Sequence, residues 1–222
     1  MWRWLSILIV LGVGCAGRQT PEGSQQAVVS PIPVPQPVYP REELSQDLQE
    51  LWSRVEEAVS VRPPEPPDGE SEEDIDEWAE GEFRQWLLRR QEATDRALAA
   101  THALRTHPLY ERGIGTALFA YMYEDMASSI RGAPVPEHIA KDRELLDIYT
   151  GALTEHITPF AELSARAYYA CLALFLKLGD PQWGQWAEYC DERGSEVVDT
   201  FQLEPPEPAD PSSSLTQLVT PP

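Results

Sequence analysis

Cys171 and Cys190 lie almost equidistant from the turn signal Gly179-Asp180-Pro181. In an antiparallel helical hairpin, positions equidistant from the hinge face each other, so the pair predicts two helices packed back to back. The flanking segments agree. Phe160 to Leu178 is nearly apolar from Ala167 onward, which marks it as the central buried element, and Pro181 opens a helical stretch to about Thr200. A disulfide closing a loop of this length would stabilise by roughly 3 kcal/mol on the chain-entropy estimate. A metal site or a redox pair lacks its signature here: there is no Cys-x-x-Cys, and no histidine lies near either cysteine in sequence.

The rest of the chain has the same punctuation. Leu44, Leu48, Leu51, Trp52, Val55 and Val59 recur at helical spacing over Arg41 to Val61, and Pro63-Pro64 and Pro66-Pro67 then break the pattern. A second helix starts near Ser71, where Ser71-Glu72-Glu73-Asp74 approximates a capping box, and runs to about Thr106. A third spans Leu109 to Arg131, ended by Gly132 and Ala133-Pro134-Val135-Pro136. The fourth follows Pro136 with an apolar stripe of Leu145, Ile148, Tyr149, Ala152 and Leu153, and Pro159 is expected to end or kink it. No useful run of period-two alternation occurs. The expected fold class is therefore all-α, with a helical domain over 41–202, an acidic linker near 62–74 and a disordered Pro/Glu/Ser tail at 203–222.

The N-terminus carries an address. Arg3 precedes an apolar run from Leu5 to Val13, well short of the roughly 20 residues a membrane-spanning helix needs. Gly12-Val13-Gly14-Cys15 resembles the lipobox of bacterial lipoproteins, although Gly12 stands where that family usually has Leu. The resemblance implies a signal peptide over 1–14, lipidation of Cys15 and attachment to the membrane by acyl chains. Ala16, where the family's inner-membrane retention signal would be Asp, implies an outer-membrane lipoprotein facing the periplasm. Residues 15–40 then read as a tether whose Pro-rich half is an extended spacer. An oxidising periplasm would permit the Cys171–Cys190 bond.

Charge limits the partners. The 222-residue chain has a formal net charge of −20, which repels nucleic acid and anionic headgroups alike. The run from Glu65 to Glu82 holds no Lys or Arg. It reads as a solvated linker leading into an acidic helix N-terminus.

Over Leu109 to Val198 the chain resembles the helical-repeat part of envelope lipoproteins related to tetratricopeptide (TPR) proteins. The residues behind this are Ala133-Pro134-Val135-Pro136, Asp147-Ile148-Tyr149, Ala165 to Cys171, and Trp183 to Cys190. The resemblance implies antiparallel hairpins stacked in a TPR-like, α-solenoid-like bundle acting as a scaffold or adaptor for another envelope protein.

Reaction chemistry is sparse. Glu137-His138 and Glu155-His156 do not form a His-Glu-x-x-His zinc motif, and His102 and His107 are spaced five apart. His156 continues the apolar stripe of the fourth helix and is expected to be buried and hydrogen-bonded. Asp125 falls on the Leu118-Tyr121-Met122 stripe, where a buried carboxylate needs a partner, and Arg143 or Arg166 could reach it. There is no phosphate loop and no nucleophile elbow, so no catalytic residue, metal or cofactor is expected. Trp183 and Trp186, near the hinge, are the candidate partner-contact residues. The leading expectation is a lipid-anchored adaptor. The alternatives are a cell-wall glycan-binding module using exposed aromatics, and an enzyme with a pocket near Asp125.

Overall fold

The computed structural model describes residues 32–65, 67 and 71–207. The signal segment, Cys15 and the chain beyond Glu207 lie outside the described residues. Within them the fold is an all-α bundle without strands. The helices are α1 (Gln46–Ser60), α2 (Glu72–Trp78), α3 (Arg84–Thr101), α4 (Leu109–Arg131), α5 (Glu137–Lys141), α6 (Arg143–Leu178) and α7 (Gly184–Phe201). No helix among the described residues is long and apolar enough to cross a membrane.

Local chemistry sets most of these boundaries. Ser45 caps α1 by accepting from the Leu48 N–H, and Ser71 caps α2 by accepting from the Asp74 N–H at 3.2 Å. A π-helical turn, Ala79–Phe83, joins α2 to α3. It brings Trp78, Phe83 and Trp86 into one aromatic stack, with ring centroids 4.8 and 5.1 Å apart. Gly179 ends α6 in the left-handed region, at φ 65°, where a side chain would be strained.

The centre of the bundle is α4, not the Phe160–Leu178 segment. Every residue from Gly113 to Ala120 is buried, and α4 packs on α1, α3, α6 and α7. Its main partner is α6, which runs antiparallel to it: Gly113 meets Phe175, Ala120 meets Ser164, and Ile130 clusters with Ile157. A Cβ on Gly113 would lie 2.6 Å from the Phe175 ring. That ring is pinned between Trp183 and Trp186, so glycine is what allows the two helices to approach there.

The expected hairpin is present. The Cys171–Cys190 disulfide joins α6 to α7 with Cα atoms 6.0 Å apart and a sequence separation of 19. The double substitution Cys171→Ala/Cys190→Ala is expected to lower unfolding free energy by roughly 3 kcal/mol in urea titrations. Reductant should reproduce that loss in the wild type and leave the variant unchanged.

Three boundaries differ from the sequence expectation. Pro159 does not end a helix, because α6 continues through it from Arg143 to Leu178. Pro159 is exposed, so the Glu155 carbonyl that loses its helical donor lies toward solvent. The break falls instead at Asp142, whose side chain accepts from the N–H groups of Glu144 and Leu145. The Pro-rich tether is not a free spacer to residue 40: Ile32 is buried, Val34 and Val38 pack on the core, and Gln185 and Trp186 donate to the Gln36 carbonyl. At the other end, Leu203 also packs on the core and donates its N–H to the Val198 carbonyl at 3.0 Å.

Candidate functional site

The residues that carry polar chemistry gather along α4. Arg90 of α3 is only 1 % exposed and donates to the Ala58 carbonyl of α1 and to the Met122 carbonyl of α4 at 3.2 Å. It also donates to Asp125 Oδ2 at 2.8 Å, while Arg62 donates to Asp125 Oδ1 at 3.3 Å. One guanidinium thus stitches three helices together. Burial pushes its pKa below the ordinary arginine value, and the Asp125 carboxylate opposes that shift. Asp125 therefore pairs with Arg90 and Arg62, not with Arg143 or Arg166. Its face of α4 turns toward α3 and the end of α1, away from the helix carrying the other two arginines. Both carboxylate oxygens accept from guanidinium donors, so Asp125 forms the expected arginine ion pair but with different arginines.

The preceding residue, Glu124, is buried on another face of α4 and accepts from Tyr168 Oη at 2.7 Å and from Arg193 of α7. Burial raises the Tyr168 phenol well above its ordinary value and pushes Tyr189 up to about 12. Both phenols therefore stay protonated and act as hydrogen-bond donors.

A third constellation went unseen in the sequence. His107 Nδ1 lies 2.7 Å from Glu111 Oε2, and its Nε2 lies 3.0 Å from Asp47 Oδ2. Glu111 Oε1 accepts from the Ser45 backbone N–H at 2.8 Å. The four residues fasten the start of α1 to the start of α4. Burial would raise the Glu111 pKa, but the hydrogen bonds from Ser45 and His107 outweigh it, so the net shift is downward from 4.5. A carboxyl depressed in the folded state contributes stability above its unfolded pKa, and that stability is lost as pH falls through the folded value. Glu111→Gln should therefore flatten the acid limb of a stability-versus-pH curve below about pH 4.5, with its largest cost near neutrality.

The sequence candidates scatter. Trp183 and Trp186 are 3 % and 0 % exposed, so they form core and offer no face to a partner. They sit near the hinge in sequence, but Phe175, Tyr110 and Trp52 close over them. His156 is exposed rather than buried, and His102 and His138 are exposed as well. Among the described residues, no group of three or more His, Cys, Asp or Glu side chains is placed to hold a metal ion.

Open grooves cross the surface among the described residues. One of about 340 Å³ lies between α1 and α3, and one of about 620 Å³ runs along α6 under Phe201 to Glu207. Arg166 lines the larger groove with a buried Nε that has no partner, but Glu162, Glu204 and Glu207 line it too.

The more distinctive surface is the first third of α6. Because α4 ends at Arg131, near the level of Ile157, residues 143–152 reach beyond α4 as an arm against which the short α5 packs. Leu146, Tyr149 and Leu153 are half-buried on its inner side. Leu145 and Ile148, expected in the core, are 42 % and 63 % exposed, and Val135 nearby is 38 % exposed. Sequence periodicity found this stripe but could not show that α4 stops short of it. No family model, curated protein or solved structure matches this chain.

Proposed function

We propose that this protein is a lipid-anchored, periplasm-facing helical adaptor whose working surface is the arm of α6. The observation that carries the reading is the exposed apolar stripe of Leu145 and Ile148 on a helix segment that reaches beyond the end of α4. Leaving large aliphatics in water on an exposed helix face costs solubility, and contiguous patches of this kind mark contact sites. A disulfide in the body fits an oxidising compartment, in keeping with the envelope address read at Cys15. The TPR-like relationship belongs to this proposal and rests on the quoted sequence segments. The glycan-binding alternative calls for exposed aromatics, and Trp183 and Trp186, the pair nearest the hinge, are buried.

The test is crosslinking in native envelopes, using chain that retains Cys15 and carries a photoreactive residue at position 148. Capture of one or two proteins in near-stoichiometric yield supports the adaptor reading. Capture of none from this position, with the chain correctly localised, removes it.

A further inference from the structure

The arm's charge pattern specifies its occupant. Ile148 shares one row of α6 with Glu144, one turn before it, and with Glu155, two turns after it; Asp147 adjoins that row. All three carboxylates are exposed, and none is ion-paired with another described residue. Of the nearby cations, Lys141 is already paired with Glu137, and Arg143, exposed one turn before Asp147, lies off the row of Glu144, Ile148 and Glu155. The apolar stripe itself follows helical spacing at Leu145, Ile148 and Ala152, which suits the seam of a single apposed helix.

We infer that the arm docks an amphipathic helix from another protein, one carrying Lys or Arg beside its apolar stripe. The inference rests on reading the arm as the working surface. The chain's own ends do not supply such a helix: residues 1–31 contain only Arg3 and Arg18 as cations, and residues 208–222 contain no Lys or Arg. A second copy brings the same acidic row and the same −20 charge. Antiparallel pairing of two arms would set Glu144 of one against Glu155 of the other, a like-charge contact that disfavours the match. An anionic lipid surface is repelled by the same row.

The probe is an 18-residue helical peptide of Leu and Lys with leucines at helical spacing, compared with an isomer of identical composition whose leucines are scattered. Binding is read by fluorescence anisotropy at physiological salt. The amphipathic isomer should bind about tenfold or more tightly than the scattered one, and Ile148→Glu should remove that advantage. Leu176→Glu, at a position 67 % exposed on the far end of α6, should leave it intact. Circular dichroism of the Ile148→Glu chain confirms that it folds. Equal binding of the two peptides, or an Ile148→Glu chain that binds like wild type, overturns the inference. So does sedimentation showing a wild-type dimer that Ile148→Glu dissolves, since a second copy then covers the stripe. A photoreactive residue at 148 that captures a protein through a non-basic segment defeats the inference and leaves the adaptor reading standing. No capture at all defeats both.

Discussion

Replacing Trp186 with alanine is expected to destabilise the fold by about 3 to 5 kcal/mol, the range for deleting a fully buried large aromatic. The side chain has no exposed surface, stacks on Phe175 at 6.0 Å and meets Trp52 edge-on at 6.5 Å. Its indole N–H also donates to the Gln36 carbonyl at 3.3 Å, so the variant loosens the segment around Ile32 to Val38 along with the core. A shift of the urea midpoint with unchanged slope would measure the loss. Trp186→Phe should recover part of it by refilling volume without restoring the hydrogen bond. If Trp186→Ala instead retained wild-type stability, the packing of α7 against α1 and α6 would be wrong.

Asp125→Ala should cost about 3 to 5 kcal/mol, the range for removing one partner of a buried ion pair. The pair is asymmetric. Arg90 is almost wholly enclosed, whereas Asp125 retains 13 % of its side-chain exposure. Removing the carboxylate strands a charged guanidinium among helices α1, α3 and α4, and the Ala58 and Met122 carbonyls neutralise only part of it. The double variant Arg90→Met/Asp125→Ala should be more stable than Asp125→Ala alone, because no charge is then buried. Raising salt should change the single-variant cost little, since an enclosed pair is weakly screened. A cost below about 1 kcal/mol, the range of exposed pairs, would contradict the burial of this tie.

Elements governed by local signals were legible in the sequence. The bounds of α4 follow from Pro108 and Gly132, and the Cys171–Cys190 hairpin follows from the symmetry of its turn. Elements governed by neighbours were not. The stripe of Leu145 and Ile148 has the same spacing whether buried or bare, and only the early end of α4 leaves it bare. Pro159 reads as a helix stop unless its solvent-facing position is known. Arg90 sits in a polar stretch of α3 and gave no sign of being the buried charge. In the Asp47–His107–Glu111 set only His107 and Glu111 lie four residues apart; Asp47 is 60 residues before His107, so no short spacing could reveal the whole set.

The length of α6 has a mechanical consequence. Its 36 residues form one continuous helix, about 54 Å at 1.5 Å per residue. The arm therefore has the build of a cantilever, with its fulcrum where Ile157 and Ala161 meet Met126 and Ile130. At the opposite end the Cys171–Cys190 bond rivets the beam to α7 and resists lengthwise slip past its neighbours. A cargo held there would keep a fixed bearing relative to the body instead of swinging on a leash.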